Sequence, residues 1–314
     1  MKTSLIARAL NSKSFFYVKL LVGLSLISIV MAWIDASKAI QYFVGANFFL
    51  IAAGAILTVV QTILSAWKWK IILHEQQIKV PFFNLFRNYM IANFINLFSP
   101  SFVGGDAYRT ASLKKYAGSI SRSLSSVIVD RLTGLAALFF IGSVGLGFYT
   151  APKYVFAISI SIIAAMLILY LIIIFFVRPR IVKFSTAKSW WAIRLGRDIA
   201  EALLPNKAFA KALAVSLLFQ TNTIIINVIY SASLHLDAKI SELLLIVPVV
   251  YLVEMAPISI NGVGVRESVF TLLFLHFGLL AEQGLALGLT ITMMRYVVGA
   301  AGAIFWLIPG EKSY

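Results

Sequence analysis

Two ten-residue phrases in this sequence share one pattern: residues 100–109 read PSFVGGDAYR, and residues 257–266 read PISINGVGVR. Each phrase opens with proline, has a glycine five places later and closes with an arginine, Arg109 or Arg266. The two copies lie 157 positions apart, which is half of the 314-residue length. This recurrence predicts an internal duplication of the chain.

The composition is that of a polytopic membrane protein, with 61% apolar residues, 12% charged residues and a mean hydropathy of +0.92. We therefore predict a single integral membrane domain, with repeat halves at about 1–157 and 158–314. The net charge of +15 comes from lysines and arginines between apolar segments, so anionic lipid headgroups are the expected partners and nucleic acid is not. The absence of cysteine excludes disulfides and thiolate metal ligands, and neither a metal nor a cofactor is expected.

Each phrase follows an apolar run, 86–98 or 243–255, that is shorter than the roughly 20 residues needed to cross a bilayer. Pro100 and Pro257 each lack an amide donor, and the nearby glycines admit unusual backbone angles, so both phrases predict helix breaks. Paired breaks at matching places in two halves are typical of the substrate site of a transporter.

The predicted fold class is all-α: a polytopic helix bundle with about six full spans and two re-entrant broken hairpins. A cleaved signal peptide is the alternative to the first span, but the segment after it, with Asp35, Ser37 and Lys38, is a poor match to a small-residue cleavage site. The motif WKWK at 67–70 predicts an interface anchor that ends the second span. The predicted spans are about 20–33, 44–67, 125–149, 154–177, 212–234 and 284–308, and the hairpins are about 86–124 and 243–280.

The distribution of basic residues predicts the orientation of the chain. With the N-terminus in the cytoplasm, 21 lysines and arginines fall inside and three fall outside, which also places the C-terminus inside. The expected location is the cytoplasmic (inner) membrane. The first hairpin would then enter from the cytoplasm and the second from the opposite face, which makes the halves an inverted repeat. Residues 178–211 form the main polar stretch and predict an interfacial amphipathic helix.

Charged residues also fall within or beside the apolar segments. Each would cost about 2.5–3.5 kcal/mol at the bilayer centre if it faced lipid, so they must face one another or water. They predict a network that balances charge or couples protons, and the alternative is ion pairing that only locks helices together. These residues are Asp130, Arg131, Glu254, Arg266, Glu267 and Arg295.

A helix start is predicted after each break, where Asp106 caps the first arm near Ala107 and Asn261 or Gly264 caps the second. Helix N-termini attract anions, so we hypothesise that a lipid phosphate binds where the two breaks meet. The alternative is that the two phrase arginines only reach toward interfacial phosphates. The predicted substrate-binding residues are Gly104, Gly105, Asp106, Arg109, Asn261, Gly262, Gly264 and Arg266.

Small and amide residues carry weaker signals. Asn93 and Asn96 lie three apart on the first half-helix and either line a cavity or bond between helices. Several glycines predict close helix packing, namely Gly142, Gly145, Gly147, Gly284 and Gly288.

Three stretches, NFINLFSPSFVGGDAYR (93–109), SVIVDRLTGL (126–135) and VEMAPISINGVGVRES (253–268), resemble the lysylphosphatidylglycerol synthase transmembrane-region family of flippase-like integral membrane proteins. The resemblance extends over nearly the whole chain. Asp130 stands where family members commonly have glutamate, which preserves the charge. The matching positions are Gly104, Gly105, Asp106, Arg109, Arg131, Pro257, Ser259, Asn261, Gly262, Gly264, Arg266 and Glu267.

The resemblance implies a lipid flippase that moves an anionic or headgroup-modified lipid between leaflets. In bifunctional members a separate soluble domain makes the aminoacylated lipid; this chain ends at Tyr314 without one, so lysyl transfer and enzymatic activity are not expected. The lipid could be an anionic phospholipid or a polyprenyl- or hopanoid-type lipid. Two alternatives stay open: a membrane enzyme acting on a lipid-linked substrate, and an accessory scaffold that partners lipid or glycan biosynthesis enzymes.

Overall fold

The computed structural model describes residues 36–99, 103–149, 191–202, 207–256 and 258–307, together with a few positions between 21 and 30. The regular structure given within these ranges is helical, as the composition predicts. The helices are α1 (Ala36–Val44), α2 (Phe48–Glu75), α3 (Phe82–Asn96), α4 (Val103–Ala117), α5 (Ile120–Leu146), α6 (Trp191–Ala202), α7 (Lys207–Ser233), α8 (Ile240–Glu254), α9 (Val265–His276) and α10 (Ala281–Leu307).

Four of these helices, α2, α5, α7 and α10, are long and apolar enough to cross a membrane. Each has 27 or 28 residues, which at 1.5 Å per residue gives about 40 Å and exceeds the roughly 30 Å hydrocarbon core. They correspond to four of the predicted spans. The predicted spans at 20–33 and 154–177 lie largely or wholly outside the described residues, as does much of 178–211.

The boundary between α4 and α5 corrects the predicted return arm, which was expected to continue to about residue 124. Gly118 has a φ of +72°, which ends α4, and the Ser119 side chain accepts a hydrogen bond from the Arg122 amide at 3.2 Å. This local cap begins α5 at Ile120 and makes the following membrane helix longer at its start than predicted.

The order of helices repeats within the chain. A long helix, a pair of short helices and another long helix make up α2–α5, and the same order recurs in α7–α10. The packing repeats as well, because α3 packs against α10 just as α8 packs against α5. Helices α2 and α7 pack against each other between the two halves. This arrangement supports the predicted duplication.

The two hairpins, α3–α4 and α8–α9, enter the bundle from opposite ends. Arg122, near the start of α5, donates a hydrogen bond to the carbonyl of Gln76, directly after α2 and shortly before the first hairpin begins. At the other end of α5, the Tyr149 hydroxyl donates to Ser241, at the start of the second hairpin, at 3.0 Å. The two ends of one membrane helix therefore contact the openings of the two hairpins, an arrangement that agrees with the predicted inverted repeat.

Glycines allow the hairpins to pack closely against the long helices, as predicted. A Cβ atom on Gly145 of α5 would lie 2.5 Å from the carbonyl of Leu244 in α8, and one on Gly284 of α10 would lie 2.8 Å from the carbonyl of Phe270 in α9. Gly147 differs from this prediction, because it is exposed at the C-cap of α5.

Replacing Gly145 with valine is expected to lower the free energy of unfolding by about 1–3 kcal/mol, because the new side chain must displace the α8 backbone. Unfolding with a denaturing detergent measures the change. Gly45→Val is the matched control, since no atom lies within 4 Å of the Cβ position there. Equal stability of the two variants would contradict the close contact.

Candidate functional site

The tips of the two hairpins touch. Ser99, just after α3, accepts a hydrogen bond through its carbonyl from the Asn261 amide, between α8 and α9, at 3.2 Å. Pro100 and Pro257, predicted as the helix-breaking residues, lie outside the described residues. Helix α3 nevertheless ends at Asn96 and α4 begins at Val103, while α8 ends at Glu254 and α9 begins at Val265. Both interruptions are therefore present where the sequence predicts them.

At the first break, the start of α4 packs closely against the backbone of α3. Asn96 accepts a hydrogen bond through Oδ1 from the Gly105 amide at 2.7 Å, and a Cβ on Gly105 would lie 2.7 Å from the Ala92 carbonyl. A Cβ on Gly104 would collide with the Ser99 hydroxyl. Helix α4 begins at Val103, so Asp106 lies in its first turn and is not the predicted cap. Its carboxylate binds arginines instead.

The second break relies on backbone angles that favour glycine. Gly262 and Gly264 have φ values of +77° and +82°, and Asn261 has +50°. Of the two predicted caps, Gly264 occupies the N-cap of α9, and its amide donates to Glu267 Oε2 at 2.6 Å. A side chain on Gly262 would also meet Glu254, with its Cβ 2.5 Å from the carboxylate.

Asp130 is the centre of the first charged cluster. Its Oδ2 accepts hydrogen bonds from Tyr89 Oη at 2.6 Å and from Arg109 Nη2 at 2.8 Å. Its Oδ1 pairs with Lys68 Nζ at 2.9 Å, and Lys68 also donates to the Asp130 backbone carbonyl at 2.8 Å. Asp130 is 4% exposed, so these partners provide the interactions that water would otherwise supply.

Arg109 is enclosed by aromatic rings as well as by acids. Its guanidinium lies 4.3 Å from the Trp69 ring centroid and 4.0 Å from that of Tyr89, distances typical of cation–π contacts. It is 1% exposed and also pairs with Asp106 at 3.3 Å. Asp106 in turn accepts two hydrogen bonds at 2.9 Å from Arg131, whose side chain is 39% exposed. The five charged residues of this cluster comprise three cations and two anions.

Glu254 is the centre of the second cluster, where it pairs with Arg266 and Arg295. Arg266 is 0% exposed and donates from Nη2 to the Asn261 carbonyl at 2.9 Å as well. It therefore ties the end of α8 to the second break and to the start of α9. Arg295 reaches Glu254 from α10 and keeps 20% of its side chain exposed.

Thr292 joins the remaining partners of this cluster. Its hydroxyl accepts a hydrogen bond from Arg266 Nη1 and donates one to Glu267 Oε1. Glu267 is 0% exposed and uses its other oxygen to cap α9. All three groups of the Arg266 guanidinium thus have partners, and the two cations and two anions of this cluster balance.

A central cavity of about 250 Å³ lies between the two clusters. Both halves of the repeat contribute to its lining, through α2, α3, α4 and α5 from the first and α7, α8 and α10 from the second. Asn93 and Asn96 line it, and Asn93 also donates to Thr62 of α2 at 3.3 Å, so both predicted roles are present. The charged residues on its wall are Lys68, Arg109, Asp130, Arg131 and Arg295, four cations and one anion.

The structure divides the predicted site residues into two groups. Arg109 and Asn261 line the cavity, together with Asp130, Arg131 and Arg295 from the predicted charge network. The others lie behind the wall, where they shape the breaks or hold the wall residues in place. This second group consists of Gly104, Gly105, Asp106, Glu254, Gly262, Gly264, Arg266 and Glu267.

The sequence-based prediction missed Lys68, because WKWK suggested an interface anchor. That prediction was wrong for its middle residues: Lys68 is 6% exposed, Trp69 is 0% exposed, and α2 continues to Glu75. The available signal was a polar stripe at helical spacing through an apolar span. Its members are Thr58, Gln61, Thr62, Ser65 and Lys68, and all of them line the cavity.

Comparison with known proteins gives two findings. A family model described as the lysylphosphatidylglycerol synthase transmembrane region matches residues 18–302. A UPF0104 membrane protein of Methanocaldococcus jannaschii is 26% identical over 140 residues, which cover 44% of this chain and 41% of that relative. The match therefore spans less than half of the relative's length.

Proposed function

The chain belongs to the lysylphosphatidylglycerol synthase transmembrane-region family, and from this membership and its central cavity we propose that it is a lipid translocator. It moves an anionic or headgroup-modified lipid between the two leaflets of the cytoplasmic membrane. Both termini face the cytoplasm in this proposal, which rests on the distribution of lysines and arginines along the chain.

The observation that carries the proposal is the meeting of two re-entrant hairpins at a charged cavity. The hairpins enter from opposite ends and touch between Ser99 and Asn261. Residues of both repeat halves line this cavity. Transporters with inverted repeats have their substrate site at the same kind of interface, and rocking of one repeat against the other exposes the site to each side of the membrane in turn. Charges at this depth are costly and are expected where they serve a polar substrate.

The charge on the cavity wall favours an anion. Arg131 and Arg295 reach the cavity from α5 and α10, and each keeps part of its side chain exposed. Asn261 adds an amide Nδ2 that is buried and has no hydrogen-bond partner among the described residues. Arginine binds phosphate through two parallel hydrogen bonds, so this set of donors suits a phosphate group.

The size of the cavity suits a headgroup. Its volume of about 250 Å³ lies just below the roughly 300–1,000 Å³ of typical small-molecule pockets. A phosphate with a small substituent fits this space, whereas acyl chains do not. In the proposed mechanism the headgroup crosses through the cavity, and the chains remain in the hydrocarbon of the bilayer.

Replacing Arg131 or Arg295 with glutamine is expected to slow translocation by about 10- to 100-fold, because each change removes a charged hydrogen bond to phosphate worth about 1.5–3 kcal/mol. The measurement uses proteoliposomes that contain fluorescent phosphatidylglycerol, with chemical quenching of the outer leaflet. Arg194→Gln is the matched control, since Arg194 is exposed on α6 outside the cavity.

Each outcome of this experiment has a defined meaning. Folded Arg131→Gln and Arg295→Gln variants that transport at the wild-type rate would remove the proposed role of the cavity. Recovery of the labelled lipid in a covalently altered form would favour the enzyme alternative. If Arg194→Gln slows translocation as much as the two cavity substitutions do, the effect would come from general attraction between anionic lipid and basic residues of the protein.

A further inference from the structure

A groove at the open end of the first hairpin carries a second set of cations. It has a volume of about 630 Å³ and lies between the start of α3 and the end of α4. Arg87, Lys114 and Lys115 line it, and its lining includes no acidic residue. It shares no lining residue with the central cavity.

The groove wall also contains buried amide groups. Asn84 and Asn88 are each 5% exposed, and both line the groove one turn apart on α3. The Asn84 amide donates to the Tyr116 hydroxyl at 3.1 Å, which joins α3 to α4. Cations beside amide donors form a surface suited to a phosphate, which accepts hydrogen bonds on several oxygens.

The repeat provides an internal comparison for the groove. The residues 157 positions after Arg87, Lys114 and Lys115 are Leu244, Thr271 and Leu272, all of them uncharged. The second hairpin therefore forms the same pair of helices without these cations. The three charges are not a requirement of the hairpin fold, and together they make the groove favourable for an anion.

The position of the groove indicates the source of the anion. The groove lies at the end of the bundle where α2 ends and α5 begins. Lys70, Lys79 and Arg122 lie at the same end. Because α2 and α5 are long enough to cross the bilayer, this end lies at headgroup level. We propose that the groove binds the phosphate of an anionic lipid headgroup at this membrane surface, as a site separate from the central cavity.

Chemical labelling of lysines tests the proposal on the full chain in nanodiscs. Lys114 and Lys115 are exposed, so amine acetylation followed by mass spectrometry measures their accessibility. Exchanging neutral phosphatidylcholine for a mixture with phosphatidylglycerol is expected to slow their acetylation several-fold. Lys70 and Lys79 lie at the same end outside the groove and serve as internal controls that keep their rate.

A substitution adds an independent readout. Arg87→Gln removes one cation without changing the labelled lysines. The concentration of anionic lipid needed to protect these lysines from acetylation is expected to rise about five-fold, because one basic residue near an anionic surface contributes about that factor to binding. The same change at Arg194 is expected to have no effect, because Arg194 lies on α6 away from the groove.

Three outcomes would overturn the proposal. The first is equal labelling of Lys114 and Lys115 in neutral and anionic nanodiscs. The second is equal protection of Lys70 and Lys79, which would mean general attraction to the surface. The third is full protection by inorganic phosphate in neutral nanodiscs, which would assign the groove to a free anion in place of a lipid. Transport activity does not enter this test, so it stands apart from the proposed translocation.

Discussion

Replacing Glu254 with glutamine is expected to destabilise the protein by about 3–5 kcal/mol. Glu254 pairs with Arg266 and Arg295, and its own side chain is 1% exposed. Glutamine keeps the size but removes the negative charge, which leaves the fully buried Arg266 guanidinium without its directly paired anion. Unfolding in a denaturing detergent, followed by circular dichroism, measures the loss.

The matched control is Glu201→Gln on α6. Glu201 has a 58% exposed side chain and pairs with Arg197 at 3.8 Å, one helical turn away, so its loss is expected to cost less than about 1 kcal/mol. If Glu254→Gln unfolds at the same denaturant concentration as Glu201→Gln, the second cluster does not hold the hairpin as described.

The features that sequence predicted best depend on local chemistry. Proline and glycine favour a helix break most where they occur together, as in the two phrases, whereas the single Pro248 lies inside α8. The phrases therefore locate the breaks without knowledge of the rest of the fold. The count of basic residues on each side of the spans likewise predicted that the two hairpins enter from opposite sides, and the contacts of Arg122 and Tyr149 with opposite hairpins agree with this prediction.

The partners of the buried charges could not be predicted in the same way. Arg266 pairs with Glu254 twelve positions earlier and with Thr292 from another helix, and only the tertiary fold determines that choice. Lys68 shows a related difficulty. Tryptophan beside lysine is typical of a membrane interface, but an aromatic enclosure around a buried cation has the same local composition.

The repeated arginines and the cavity arginines have different roles in this arrangement. Arg109 and Arg266 occupy the same position in the two phrases, and both are almost completely buried in ion pairs. Arg131 and Arg295 lie elsewhere in the two halves and keep exposed side-chain surface. We therefore expect substitutions of the first pair to act through stability and those of the second pair to act through transport.

Arg109→Gln tests this division and is expected to lower the free energy of unfolding by about 3–5 kcal/mol. The change removes the Asp130 ion pair at 2.8 Å and the contacts with the Trp69 and Tyr89 rings, at a residue that is 1% exposed. Arg109→Lys keeps the charge but loses the planar group between the rings, so an intermediate stability is expected. The same detergent unfolding measures all variants.

Arg131→Gln is the control for Arg109→Gln, since both arginines pair with Asp106 but Arg131 has a 39% exposed side chain. Its stability is expected to fall by less than about 1 kcal/mol while its transport rate falls at least about 10-fold. A stable Arg109→Gln variant that loses transport would instead place Arg109 directly against the lipid phosphate. Arg109 lines the cavity beside Tyr89 and Asp130 but is only 1% exposed, so that result would mean that its enclosure opens during the transport cycle.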